Sequence, residues 1–96
     1  MTELGPYDSA EFLDTDEAVA EYLAAAIEEG DAVLFRRALG VAARARGMTQ
    51  IAREAGLSRE SLYRALSDDG NPSLDTALRV LNALNVRLTA FAVTPQ

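Results

Sequence analysis

Residues 48–66 read MTQIAREAGLSRESLYRAL, and no other stretch of the chain restricts its fold so tightly. Ala52 stands four places before Gly56, while Ile51, Ala55, Leu57, Leu62 and Ala65 supply the other buried-type positions. This spacing predicts a helix-turn-helix: a short helix, a tight turn that needs glycine, and a second helix held across the first. Ala52 lets two helix backbones approach closely. Gly56 takes the positive-φ conformation that ends the first helix at no steric cost. Leu57 packs back into the angle, and Ser58 caps the second helix. Arg59, Glu60, Ser61, Tyr63 and Arg64 are left facing outward, and such groups suit base edges and phosphates. An ordinary αα-corner shares the apolar spacing. It does not call for the alanine, the glycine, the capping serine and the polar outer face together, so DNA binding is the function these residues favour.

The flanking segments read as further helices. Asp14 or Thr15 caps a helix whose first turn is acidic, and Val19, Tyr22, Leu23, Ala26 and Ile27 form its apolar stripe. Gly30 stops that helix and Asp31 caps the next, residues 32–46, which buries Leu34, Phe35, Ala38, Leu39, Ala42 and Ala45 around an internal Gly40. Residues 67–72 read as a loop, and Ser73 caps a helix burying Leu74, Ala77, Leu78, Leu81 and Leu84, with Asn85 as a left-handed terminator. Residues 86–93, VRLTAFAV, alternate like one short strand. A lone strand has unpaired edges, so it needs either the N-terminal arm or the same strand of a second subunit. The second is preferred, because a two-fold dimer presents two recognition helices to a palindromic site. The expected fold is therefore all-α: a compact bundle of about five helices containing the helix-turn-helix, with a C-terminal strand used in dimerisation.

Composition narrows the function further. A chain of 96 residues makes one small domain. It contains no histidine and no cysteine, which removes the usual general base, thiolate metal sites and disulfides. With no glycine-rich phosphate loop and no convergent polar set, neither an enzyme nor a cofactor or metal site is expected. No apolar run approaches membrane-spanning length and no basic-then-apolar leader opens the chain, so a cytoplasmic location is expected. The net charge of −6 is unevenly spread. Residues 1–31 hold ten carboxylates and no basic residue, whereas residues 32–66 hold seven arginines against two glutamates. The chain divides accordingly into an acidic N-terminal arm and helix (1–31) and a helix-turn-helix unit with its C-terminal strand (32–96), packed as one body. Such asymmetry implies two surfaces with different partners.

Double-stranded DNA is the first partner. Thr49 and Gln50, at the start of the first helix of the motif, suit one phosphate. Arg59 can fork onto guanine, and Glu60 can accept from cytosine or orient Arg59. Ser58, Ser61, Tyr63 and Arg64 complete the candidate set on neighbouring bases or backbone. The acidic arm would be repelled by DNA and suits a basic protein instead.

Residues 34–88, and most specifically GLSRESLYRALSDDGNPS, resemble addiction-module antidote proteins, the HigA-like antitoxins of the Cro and lambda-repressor helix-turn-helix class. The preceding residues 6–31 carry the same likeness, and Asn85 stands where the family would place glycine. The resemblance implies a basic toxin of the RelE/ParE/HigB-like fold, neutralised by direct binding, and repression of the shared operon by an antitoxin homodimer. Glu17, Glu21, Tyr22, Glu28 and Glu29 are the candidates for the toxin contact. A stand-alone phage-type repressor would share every DNA-facing feature, and a pure protein-interaction adaptor would lack operator binding.

Overall fold

Local hydrogen bonds set where the helices begin. In the computed structural model, which describes residues 13–95, the chain forms α1 (Asp16–Glu28), α2 (Ala32–Arg46), α3 (Met48–Ala55), α4 (Arg59–Ala65) and α5 (Leu74–Ala83). The Oγ1 of Thr15 accepts from the Ala18 N–H at 3.0 Å, and Asp31 Oδ1 accepts from Val33 and Leu34 at 2.8 and 3.3 Å. Ser58 and Ser73 do the same for α4 and α5, accepting from Ser61 and Thr76 at 2.9 and 3.0 Å. Each such cap satisfies a donor that the first helical turn leaves open, and contributes about 1 kcal/mol. Only α3 starts without one: Gly47 precedes it and offers no side chain.

Two helices end in the same device. Gly56 sits at φ 75°, the Leu57 N–H donates to the Ala52 carbonyl at 2.8 Å, and the Gly56 N–H donates to Arg53 at 3.2 Å. After α5, Asn85 takes φ 63°, with Val86 donating to Leu81 at 2.9 Å and Asn85 to Asn82 at 3.0 Å. Both are Schellman closures, and in each the next apolar residue (Leu57 or Val86) folds back onto the core. Three residues, Gly56 to Ser58, thus turn the chain from α3 into α4.

The core is aliphatic. Val19, Leu23, Leu39, Leu62, Val80, Leu81 and Leu84 are fully enclosed, with Ala38, Ala42, Ala43, Ala52 and Ala55 between them. These alanines let α1 lie on α2 and let α3 lie on α2, α4 and α5. Asp16 ties the ends together. It pairs with Arg46 at 3.0 Å and accepts from Asn85 Nδ2 at 3.3 Å, joining the start of α1 to the end of α2 and the turn after α5. The acidic helix is therefore integral, since it contributes Val19, Leu23 and Ala26 to the core. Residues 1–12 of the acidic N-terminal arm lie outside the described residues, and Leu13, which follows them, is buried.

Two expectations change. No strand forms over residues 86–93, and among the described residues there is none at all. The alternating pattern is present, but one copy of the chain supplies no edge for it to pair with, so Phe91 and Val93 stand 82% and 79% exposed. Second, Ile27, Leu34, Leu74 and Leu78 are exposed rather than buried, Leu74 by 72%. Their apolar stripes are wider than the neighbouring helix can cover. Residues 67–72 form the expected loop, and it is held in place. Arg36 donates to the Gly70 carbonyl at 3.2 Å, and Asp68 lies 3.9 Å from Arg36 and 3.6 Å from Arg37. Gly70 passes so close to the Ala65 and Arg64 carbonyls that a β-carbon there would collide with them.

Candidate functional site

The fold sorts the arginines into two groups. Arg36, Arg37, Arg46 and Arg79 each face a carboxylate. Arg44, Arg53, Arg59, Arg64 and Arg87 form no ion pair with any described carboxylate. Three of this second group converge. Arg44 from the end of α2, Arg53 from α3 and Arg59 from α4 line one open bay of about 590 Å³ together with Thr49, Gln50 and Tyr63. Uncompensated cations held close together repel one another, so such a bay is stabilised by an incoming polyanion.

Within it, Arg59 is already oriented. Its guanidinium lies 5.3 Å from the Tyr63 ring centroid and donates to the Tyr63 hydroxyl at 3.3 Å. The pair sits at i, i+4 on α4, where side chains of a helix meet. Stacking on the ring leaves the outer edge of the guanidinium available and reduces the rotamer freedom lost on docking. A β-carbon at Gly40 would come within 3.3 Å of the Arg44 guanidinium and 3.5 Å of the Leu66 carbonyl. The Arg44 guanidinium thus folds back beside Gly40, where an added β-carbon would shift its flexible end slightly.

Of the residues expected to contact DNA, Thr49, Gln50, Arg59 and Tyr63 share the bay, whereas Ser58, Glu60, Ser61 and Arg64 lie outside it. Ser58 is committed locally, because its hydroxyl caps α4 and also donates to Ser61 Oγ at 2.9 Å. Glu60 and Arg64 are exposed along α4. Gln50 donates to Glu54 at 3.2 Å, a carboxylate outside the lining of the bay. Sequence reasoning missed Arg44 and Arg53. Arg53 could have been found as the residue one helical turn beyond Thr49 and Gln50; Arg44 arrives from a different helix, and no spacing rule reveals it.

The second expected surface is equally distinct. Glu17, Glu21 and Glu28 lie within about 40° of arc on α1 at 3.6 residues per turn. All three are exposed and none pairs with a described cation. Tyr22 and Glu29 lie round the helix from that stripe, on the wall of a groove between α1 and α2. Among the described residues no helix is long and apolar enough to cross a membrane, and no cluster of carboxylates could hold a metal ion.

A small all-helical domain with one arginine-lined face and one acidic face is thus the class of molecule at hand. Residues 3–92 match the model of a family described as probable addiction module antidote protein, and the chain belongs to that family. Family membership implies a cognate toxin. The chain is also 49% identical over 88 residues, 91% of each chain, to an uncharacterised protein of Haemophilus influenzae. No solved structure matches it.

Proposed function

We propose that the chain is the antitoxin of a type II toxin–antitoxin module: a homodimeric, sequence-specific repressor of its own operon that also binds and neutralises a basic RelE/ParE/HigB-like toxin. In this reading the α3–α4 pair is a DNA-binding helix-turn-helix of the Cro and lambda-repressor class, and α4 enters the major groove. Arg59, oriented by Tyr63, reads a base edge, with Glu60, Ser61 and Arg64 beside it. Arg44, Arg53, Thr49 and Gln50 take phosphates, with Ser58 holding the start of α4. The acidic stripe of α1 faces the toxin. The C-terminal segment, with its uncovered Phe91 and Val93, serves dimerisation. The protein acts in the cytoplasm, where its operator lies, by binding alone and with no reaction of its own.

The convergence of three uncompensated arginines on the α3–α4 face carries this proposal. The test is a mobility-shift titration on the gene's own upstream region against a scrambled duplex of equal length. A shift that survives moderate salt only on the upstream region is expected. Absence of any shift at low salt would leave a pure protein-binding adaptor and remove the repressor half of the proposal.

A further inference from the structure

Between α1 and α2 runs a groove of about 780 Å³ whose accessible apolar lining is Tyr22, Ala25, Leu34 and Val41, closed below by Leu66. It is larger than the arginine-lined bay of about 590 Å³, and most of its accessible surface is apolar. Leu34 belongs to the stripe that the sequence places in the core, yet it faces this groove and is exposed. The groove is concave, so a second copy docked groove to groove would leave the space unfilled. It needs a protruding occupant.

Charge specifies what kind. On the α1 side Glu29 stands at the rim without a described cation partner. The stripe of Glu17, Glu21 and Glu28 begins just beyond Ala25, between about 40° and 80° of arc further round the helix. On the α2 side Arg37 pairs with Asp68 at 3.6 Å, a carboxylate it shares with Arg36 at 3.9 Å, which leaves Arg44 as the one cation of the lining without a described carboxylate partner. A segment lying in the groove with long basic side chains reaching over Ala25 would meet carboxylates that nothing else neutralises. The chain's own C-terminal segment, offered by a second copy, brings only Arg87 to match them.

We infer that this groove is the docking site for a basic segment of the toxin, one that inserts apolar side chains between Tyr22 and Leu34 while its cations engage the α1 carboxylates. The inference rests on the antitoxin reading and names the surface which that reading leaves open. Apolar insertion would supply the affinity and the carboxylates the approach and register.

The test uses the full-length protein and the purified product of the adjacent reading frame, measured by titration calorimetry, with Ala25→Arg, Leu34→Glu and Ala25→Ser as variants. Ala25 and Leu34 are exposed, so the folded domain tolerates all three, and an unchanged operator shift checks this directly. Ala25→Arg and Leu34→Glu are each expected to weaken the complex at least ten-fold, while Ala25→Ser leaves it unaltered. Full affinity in both, combined with loss in Glu21→Arg and Glu28→Arg, would place the partner on the outer stripe of α1 and overturn the groove while leaving the antitoxin reading intact. A change in the oligomeric mass of Ala25→Arg with no change in complex formation would make a second copy the occupant, and would also overturn it. Failure of the unaltered protein to bind that product would remove the toxin half of the reading itself.

Discussion

Helices α1 and α4 both present charged side chains to solvent, yet they are built in opposite ways. The longer helix, α1, has 13 residues and rests on Val19, Leu23 and Ala26, so its position is secured along its length. Its carboxylates are then unconstrained, and none of Glu17, Glu21 or Glu28 forms an ion pair with a described cation. The shorter, α4, has 7 residues, too few to persist alone, and Leu62 is its one buried residue. What α4 lacks in length it gains in fixed contacts: the Ser58 cap, Ser61 against Ser58, and Arg59 on Tyr63. One surface acts through an unneutralised field and the other through placed groups. The first suits attraction of a charged partner over several ångströms, the second discrimination between closely similar duplexes.

The sharpest way to break this contrast is to remove one anchor from each helix. Leu62→Ala and Leu23→Ala each delete a fully enclosed side chain, so each is expected to cost about 2–5 kcal/mol in urea unfolding. At a temperature where both variants stay folded, their effects on DNA should part. Leu62→Ala unseats α4 and should weaken operator binding well beyond its loss of stability, whereas Leu23→Ala should bind normally. Equal operator binding by the two would show that α4 does not read DNA.

Arg59 is next in size. Arg59→Ala is expected to weaken the cognate complex by about 1–3 kcal/mol and to relax preference at one base pair, as read by a panel of single-base operator variants. Tyr63→Phe keeps the ring and removes the hydroxyl, so it should retain most of that preference. Arg44→Ala and Arg53→Ala should instead lower affinity about equally on all sequences and reduce the salt slope by about 1 each. A base-specific loss at Arg53, or a uniform one at Arg59, would reassign those roles.

Local chemistry was legible in the sequence, and tertiary convergence was not. Thr15, Asp31, Ser58 and Ser73 cap helices by reaching backbone donors two or three residues away, and Gly56 and Asn85 close them by their own φ. All of this is written within a few neighbouring residues. The Arg44–Arg53–Arg59 bay draws on three helices, so it exists only once they pack. The same holds for Gly70, whose close approach to the end of α4 depends on the route of a loop that Arg36 fixes. Residues 86–93 mark the other limit. Alternation encodes a willingness to pair, but the pairing edge must come from elsewhere, and Leu74 and Leu78 likewise encode a stripe that one copy does not cover.

The smallest effect bears most directly on the acidic surface. Replacing Glu17, Glu21 and Glu28 together by glutamine preserves helix propensity and removes the like-charge pair at Glu17 and Glu21, four residues apart. Loss of Glu17 from the first turn and loss of Glu28 from the last act oppositely on the helix dipole. Relief of the repulsion should therefore raise stability by a few tenths of a kcal/mol, visible as a slightly higher melting temperature at low salt and vanishing at high salt. Association with the toxin should slow in the same low-salt buffer, with dissociation little changed, because exposed charges act mainly on encounter. Operator binding should hold or tighten slightly, since three charges that repel DNA are gone. A triple variant that loses stability would mean that these carboxylates satisfy something within the fold. One whose complex with the toxin dissociates faster would mean that they are gripped in the interface rather than steering towards it.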